Sequence, residues 1–192
     1  MLQGMWKSAA FACALLLAGC GSHEHVVISS SSDGLTVSDG KVVLHGTGGS
    51  TAEIVADGAL TIDGKPVQVT DAQRATLEHY HATALQFIEH AKATGEAGAE
   101  VGVAAVTEVA KGLSSGDTSK IGERIEAKVG PVKEAAGKLC TDLATIVELQ
   151  TALAADLAAF KPFTVIGDGE ASKCRKDLAK GPGEKGDPAK AG

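Results

Sequence analysis

The 192 residues carry 18 Lys and Arg against 24 Asp and Glu, a net charge of -6, which leaves no basic surface for a phosphate backbone and argues against a nucleic-acid partner. One Trp, one Tyr and four Phe in the whole chain are too few for the stacking platforms that sugar-binding and base-binding sites use. The length suffices for one domain with a real core and is short for two.

At the start of the chain, Lys7 supplies a positive segment and 9–17 an apolar one, too short for a permanent membrane span. Leu17-Ala18-Gly19-Cys20 then closes the segment with the pattern after which bacteria attach lipid to a cysteine. The sequence therefore predicts a lipoprotein signal peptide over 1–19, acylation at Cys20 and a tether over 20–25. Gly21, rather than Asp, after the acylated residue points to the outer membrane by the sorting rule of lipoproteins generally, on the inner leaflet facing the periplasm. Cys13 leaves with the signal and Cys20 takes lipid, so Cys140 and Cys174 remain. An even pair in an oxidising compartment reads as one disulfide; the alternative is two separate thiols, one on a helix and one in the tail.

From 26 to 69 the pattern is that of a small antiparallel β-meander. Asp-Gly recurs at 33–34, 39–40, 57–58 and 63–64, and short runs of Val, Ile, Leu and Thr flank each pair. Residues 47–50 read as the longer loop, and 29–32 as either a frayed first strand or the end of the tether. At Thr70 the period changes, with Thr70 and Gln73 spaced as a capping box. An apolar stripe then runs from Leu77 through Tyr80 or His81, Ala84, Ile88, Gly95, Gly98, Gly102, Val106 and Val109 to Leu113, at steps of three and four. Residues 114–119 supply a turn, and similar spacing resumes from Ile121 to Phe160, with Pro131 expected to kink or split this second helix and Pro162 to end it. The fold class is thus α+β, a meander followed by an antiparallel helical hairpin over about 70–160. The whole forms a single domain over 26–180 with a C-terminal strap, and a disordered Gly/Pro/Lys tail follows over 181–192.

The segments VVLHG at 42–46, LTIDGKPVQVT at 60–70, Tyr80-His81 and LAAFKPF at 157–163 resemble the YggN-like family of periplasmic proteins of unknown function, over 26–166. The acylated start and the Gly-rich tail depart from that family. The resemblance implies an envelope location and brings no reaction, cofactor or catalytic residue.

The residues themselves give little chemistry. Histidines at 23, 25, 79, 81 and 90, with Glu78 and Glu89, match neither H-E-x-x-H nor its reverse, because Val27 and Gln86 stand where histidine is needed. Glu78 and His81 share a helix face but make only two ligands, so His81 reads as packed under the sheet and no metal or cofactor is expected. Gly112-Leu113-Ser114-Ser115-Gly116 spells G-x-S-x-G, yet a helix precedes the serine where a nucleophile elbow needs a strand. Carboxylates along the first helix, Glu89, Glu96, Glu100 and Glu108, read as a solvated face.

Gly95, Gly98 and Gly102 remain. Each lowers helix stability by up to about 1 kcal/mol, so close packing against the returning helix near Ala135, Ala136 and Leu139 is expected, or else a groove for a partner helix or acyl chain. The functional expectation is a non-enzymatic, lipid-anchored envelope protein that engages a periplasmic protein partner. The alternative is a carrier or sensor that holds a small apolar ligand or lipid between sheet and helices.

Overall fold

The computed structural model describes residues 26–28 and 34–180. The expected signal peptide, the expected acylation site at Cys20, the expected 20–25 tether, all of 29–33 and the expected 181–192 tail lie outside them.

Among the described residues, six strands form one antiparallel sheet in chain order: β1 Val26–Ile28, β2 Gly34–Ser38, β3 Lys41–His45, β4 Thr51–Ile54, β5 Leu60–Ile62 and β6 Lys65–Val67. Two of the expected turns are built as the sequence implies. Asp39 and Gly40 both have positive φ (51° and 71°), as do Asp63 and Gly64 (49° and 73°), the backbone that a tight hairpin between right-twisted strands requires. Asp33-Gly34 differs: Gly34 is already strand, paired with His45. The register places Leu35 opposite Leu44, Val37 opposite Val42, and Ile54 opposite both Val42 and Leu60. All of these are buried, whereas Thr36, Val43 and Glu53 on the other face are half-exposed, so the period of two gives the sheet one core face.

Helix α1, Asp71–Ser115, starts at the expected capping box: Gln73 N–H donates to Thr70 Oγ1 at 3.2 Å, and Thr70 N–H to Gln73 Oε1 at 3.0 Å. It ends at Gly116 in the left-handed conformation. In the turn that follows, Asp117 accepts from both the hydroxyl and the N–H of Ser119, and these bonds, the hydroxyl's first, hold its carboxyl below the usual carboxylate range.

The expected second helix is split. α2 covers Ile121–Glu126 and α3 Gly130–Asp156, with Pro131 in the first turn of α3, where its missing N–H costs nothing. α3 stops at Asp156 and not at Phe160, because Leu157 is extended (φ -128°, ψ 98°). Ala158–Phe163 then tightens into a 3-10 helix that contains Pro162, which therefore does not terminate an α-helix as expected. The reason lies in packing. At three residues per turn Phe160 and Phe163 face the same way, and both are fully buried beside Tyr80. The strap is helical too: α4, Glu170–Lys180, lies along α3.

The sheet sits on the first part of α1, at the open end of the hairpin. Leu35, Leu44, Ile54 and Leu60 pack with Leu77, Tyr80, Ala84 and Ile88 into one core that α3 closes through Leu143, Ile146 and Leu153. Gln73 also donates through Nε2 to the Asp156 carbonyl (2.9 Å), tying the start of α1 to the end of α3. Gly58 is where the β4–β5 turn meets α1: a Cβ there would lie 2.5 Å from the Arg74 carbonyl, and φ is +70°.

Candidate functional site

Ten helical turns separate Leu77 from Leu113 at about 3.6 residues per turn, so the stripe read from the sequence keeps to one face of α1 throughout. That face has two different neighbours. Over 71–88 the sheet covers it: Leu77, Tyr80, His81, Ala84 and Ile88 are buried. Beyond Ile88 the sheet ends, and the same face meets solvent. Gly95, Gly98 and Gly102 are exposed, and a Cβ on any of them would have nothing within 4 Å. Val103, Val106, Val109 and Leu113 are 70, 72, 43 and 73% exposed.

The expectation that the three glycines pack against the returning helix is therefore overturned. α2 and α3 lie along another face of α1, marked by Phe87, His90, Val101, Glu108 and Gly112. On that face His90 Nδ1 and Asp142 Oδ2 are 2.5 Å apart, Arg124 Nε is 2.7 Å from Glu108, and a Cβ on Gly112 would meet Ile121 at 2.6 Å. It is Gly112, not the stripe glycines, that permits a close helix approach. Replacing Gly98 or Gly102 with Ala should then stabilise the isolated protein by up to about 1 kcal/mol, because helix propensity improves at an open site. A melting temperature that falls in the Gly98→Ala protein would show that the face is already packed.

His81 and His90 have structural roles. His81 is buried and donates its Nε2 hydrogen to the Gly40 carbonyl at 2.7 Å, which holds the β2–β3 turn on α1. His90 joins α1 to α3 through Asp142, a residue 52 positions away that periodicity could not have paired with it. The Thr94 hydroxyl donates to the His90 carbonyl and not to the ring. Among the described residues no three His, Cys, Asp or Glu side chains come together in a group able to hold a metal ion. In the G-x-S-x-G segment, the Ser114 and Ser115 hydroxyls donate to the carbonyls of Lys111 and Gly112, closing the end of α1.

Cys140 and Cys174 form a disulfide, with Cα atoms 5.6 Å apart, that pins α4 to α3. Gln150 adds a second clasp: its Nε2 donates to the Ile166 carbonyl, and its Oε1 accepts from the Ile166 N–H.

The layer between sheet and helices, where an apolar ligand was the alternative expectation, is filled by Leu35, Leu44, Leu77, Tyr80, Phe160 and Phe163, all fully buried. The Tyr80 hydroxyl is buried there with no hydrogen-bond partner among the described residues, and burial holds its phenol well above the usual range. Tyr80→Phe removes a desolvated, unpaired hydroxyl and should leave the protein as stable or more so, by about 1 kcal/mol in chemical denaturation. A loss of 1 kcal/mol or more would mean that the hydroxyl has a partner.

Among the described residues no helix is long and apolar enough to cross a membrane. No curated protein and no solved structure matches the chain. A family model does match, over residues 30–129, which takes in β2 to β6, α1 and α2 and stops just before α3 and the disulfide. That is just over half of the 192 residues, and the chain belongs to the family described as protein of unknown function (DUF2884).

Proposed function

We propose that this protein is a lipid-anchored component of the bacterial cell envelope, YggN-like in kind, that works as a non-enzymatic interaction module. Acyl chains on Cys20 hold it at the inner leaflet of the outer membrane, and the helical hairpin with its sheet stands in the periplasm. The observation that carries this reading is the Cys140–Cys174 bridge, since a structural disulfide suits an exported chain far better than a cytosolic one. The apolar, small-residue face of α1 beyond the sheet supports the interaction role: contiguous exposed apolar surface marks a contact site more often than it marks bare solvent.

The test is Cys20→Ser in the natural host or another bacterium. The unsubstituted protein should fractionate with membranes and carry a lipid mass on its N-terminal cysteine, and the Cys20→Ser protein should lose the lipid and leave the membrane fraction. Unsubstituted protein found soluble, with no lipid on Cys20, would end this reading.

A further inference from the structure

We propose that the uncovered face of α1 pairs with the same face of a second copy, antiparallel, about a two-fold axis level with Ala104. This deepens the interaction reading above but needs no lipid anchor.

The residues along the centre of that face are Gly95, Ala99, Gly102, Val106, Val109 and Leu113, separated by four, three, four, three and four. This is the alternation of a two-helix seam. The small residues are gathered in the first half and the large ones in the second. A parallel pair would set glycine against glycine at one end and leucine against leucine at the other. Turned antiparallel, every layer matches one small residue with one large: Gly95 with Leu113, Ala99 with Val109, Gly102 with Val106. Val103, 70% exposed and beside the seam, lies one residue from the axis, so the Val103 side chains of the two copies flank it, about 3 Å apart along the helices. All four exposed large hydrophobics are covered in this way.

The fold sets the same register. In this alignment Ser115 of one copy stands level with Ala93 of the other, so the second helix begins just past Ile88, where the sheet ceases to cover the face. Each sheet then stands level with residues beyond the end of the other copy's α1. No charged residue stands among the seam positions from 95 to 113. A membrane surface fits less well, because an interfacial helix carries a cluster of Lys and Arg beside its apolar face, and here Lys92 and Glu96 stand at the rim.

The contact is about 27 Å long and one helix wide, on the order of 300 Å² per copy. That is below the roughly 800 Å² per partner of a standard stable interface, so the dimer is a weak one that responds to concentration.

The test is cross-linking of the full chain with a short bis-maleimide, in cells and after purification, with the unsubstituted chain as the control for its own cysteines. Val103→Cys should give a cross-linked dimer and Leu113→Cys should not, because the two Leu113 positions lie about 27 Å apart in an antiparallel pair. Gly95→Cys mixed with Leu113→Cys should restore the cross-link, and adding Val106→Glu to Val103→Cys should cut it at least about tenfold by burying an unpaired charge. Unchanged melting curves will show that these exposed substitutions leave the fold intact. The proposal is overturned if Val103→Cys stays monomeric, if Leu113→Cys links to itself as well as Val103→Cys does, or if Val103→Cys links only to a different protein. Repeating the cross-link on a Cys20→Ser background, with purified proteins at matched concentration, separates the two readings, since loss of the anchor moves the protein between fractions in cells but leaves the cross-link of the purified chain in place.

Discussion

Phe160→Ala should cost about 3 to 5 kcal/mol, a large part of the roughly 5 to 15 kcal/mol that holds a domain of this size together. Phe160 is fully buried, with its ring 6.2 Å from Tyr80, edge on, and 5.9 Å from Phe163. It joins α1, the 3-10 segment and the sheet, and no neighbour is free to move into its place: Phe163 is itself wedged beside Gly46, where even a Cβ would come within 2.7 Å of its ring. At about 2 to 4 °C per kcal/mol for a chain of this length, the melting temperature should drop by on the order of 10 °C in a circular dichroism scan. Phe160→Leu, which keeps most of the volume, should lose much less. A loss below 1 kcal/mol in Phe160→Ala would mean that the 3-10 segment does not close the core.

Removing the disulfide should cost nearly as much, about 3 to 4 kcal/mol for a cross-link between residues 34 apart in the chain-entropy account. The effect should also be local. Along α4 only Ala171 is buried and Cys174 and Leu178 are half-buried; the rest of the helix is exposed and, apart from Ala179, polar, so little apolar area docks it on α3 without the bond. In the Cys140→Ala/Cys174→Ala protein, or under reductant, 167–180 should become the first site of proteolytic cleavage and lose hydrogen-exchange protection, while the sheet and the first part of α1 remain protected. Denaturant curves of the oxidised and reduced protein measure the global part. If the two coincide, and 167–180 stays protected in both, α4 docks without the bridge and the strap role is wrong.

Both results bear on how a sparse core is secured. With so few aromatic residues, the protein concentrates Tyr80, Phe160 and Phe163 at the open end of the hairpin, where the sheet, α1 and α3 meet. The outer half of the hairpin adds polar ties between its helices, His90 with Asp142 and Glu108 with Arg124, to the buried Val129 and the close approach of Ile121 to Gly112. That half also carries the uncovered face of α1, so a contact there could form and dissolve without disturbing the core.

The local elements were legible because their causes are local. The backbone at 39–40 and 63–64 follows from what Asp and Gly tolerate, the start of α1 from two side chains three residues apart, and the break before α3 from a proline that only a first turn accommodates. Two cysteines left over once Cys13 and Cys20 are assigned to a lipoprotein start were enough to suggest the bridge. What the sequence could not assign was the neighbour of each face. A period of 3.6 shows that Leu77 and Leu113 share a side of α1, but not that a sheet covers the first and nothing in the described chain covers the second. Nor could periodicity reveal that α3 lies on the side of His90 and Gly112, because Ala, Gly and Val are spread around the outer half of α1 and mark no unique apolar face. The end of α3 at Asp156 and the His90–Asp142 pair were hidden for the same reason: each depends on residues far away in the chain, and only the closing of the hairpin against the sheet brings them together.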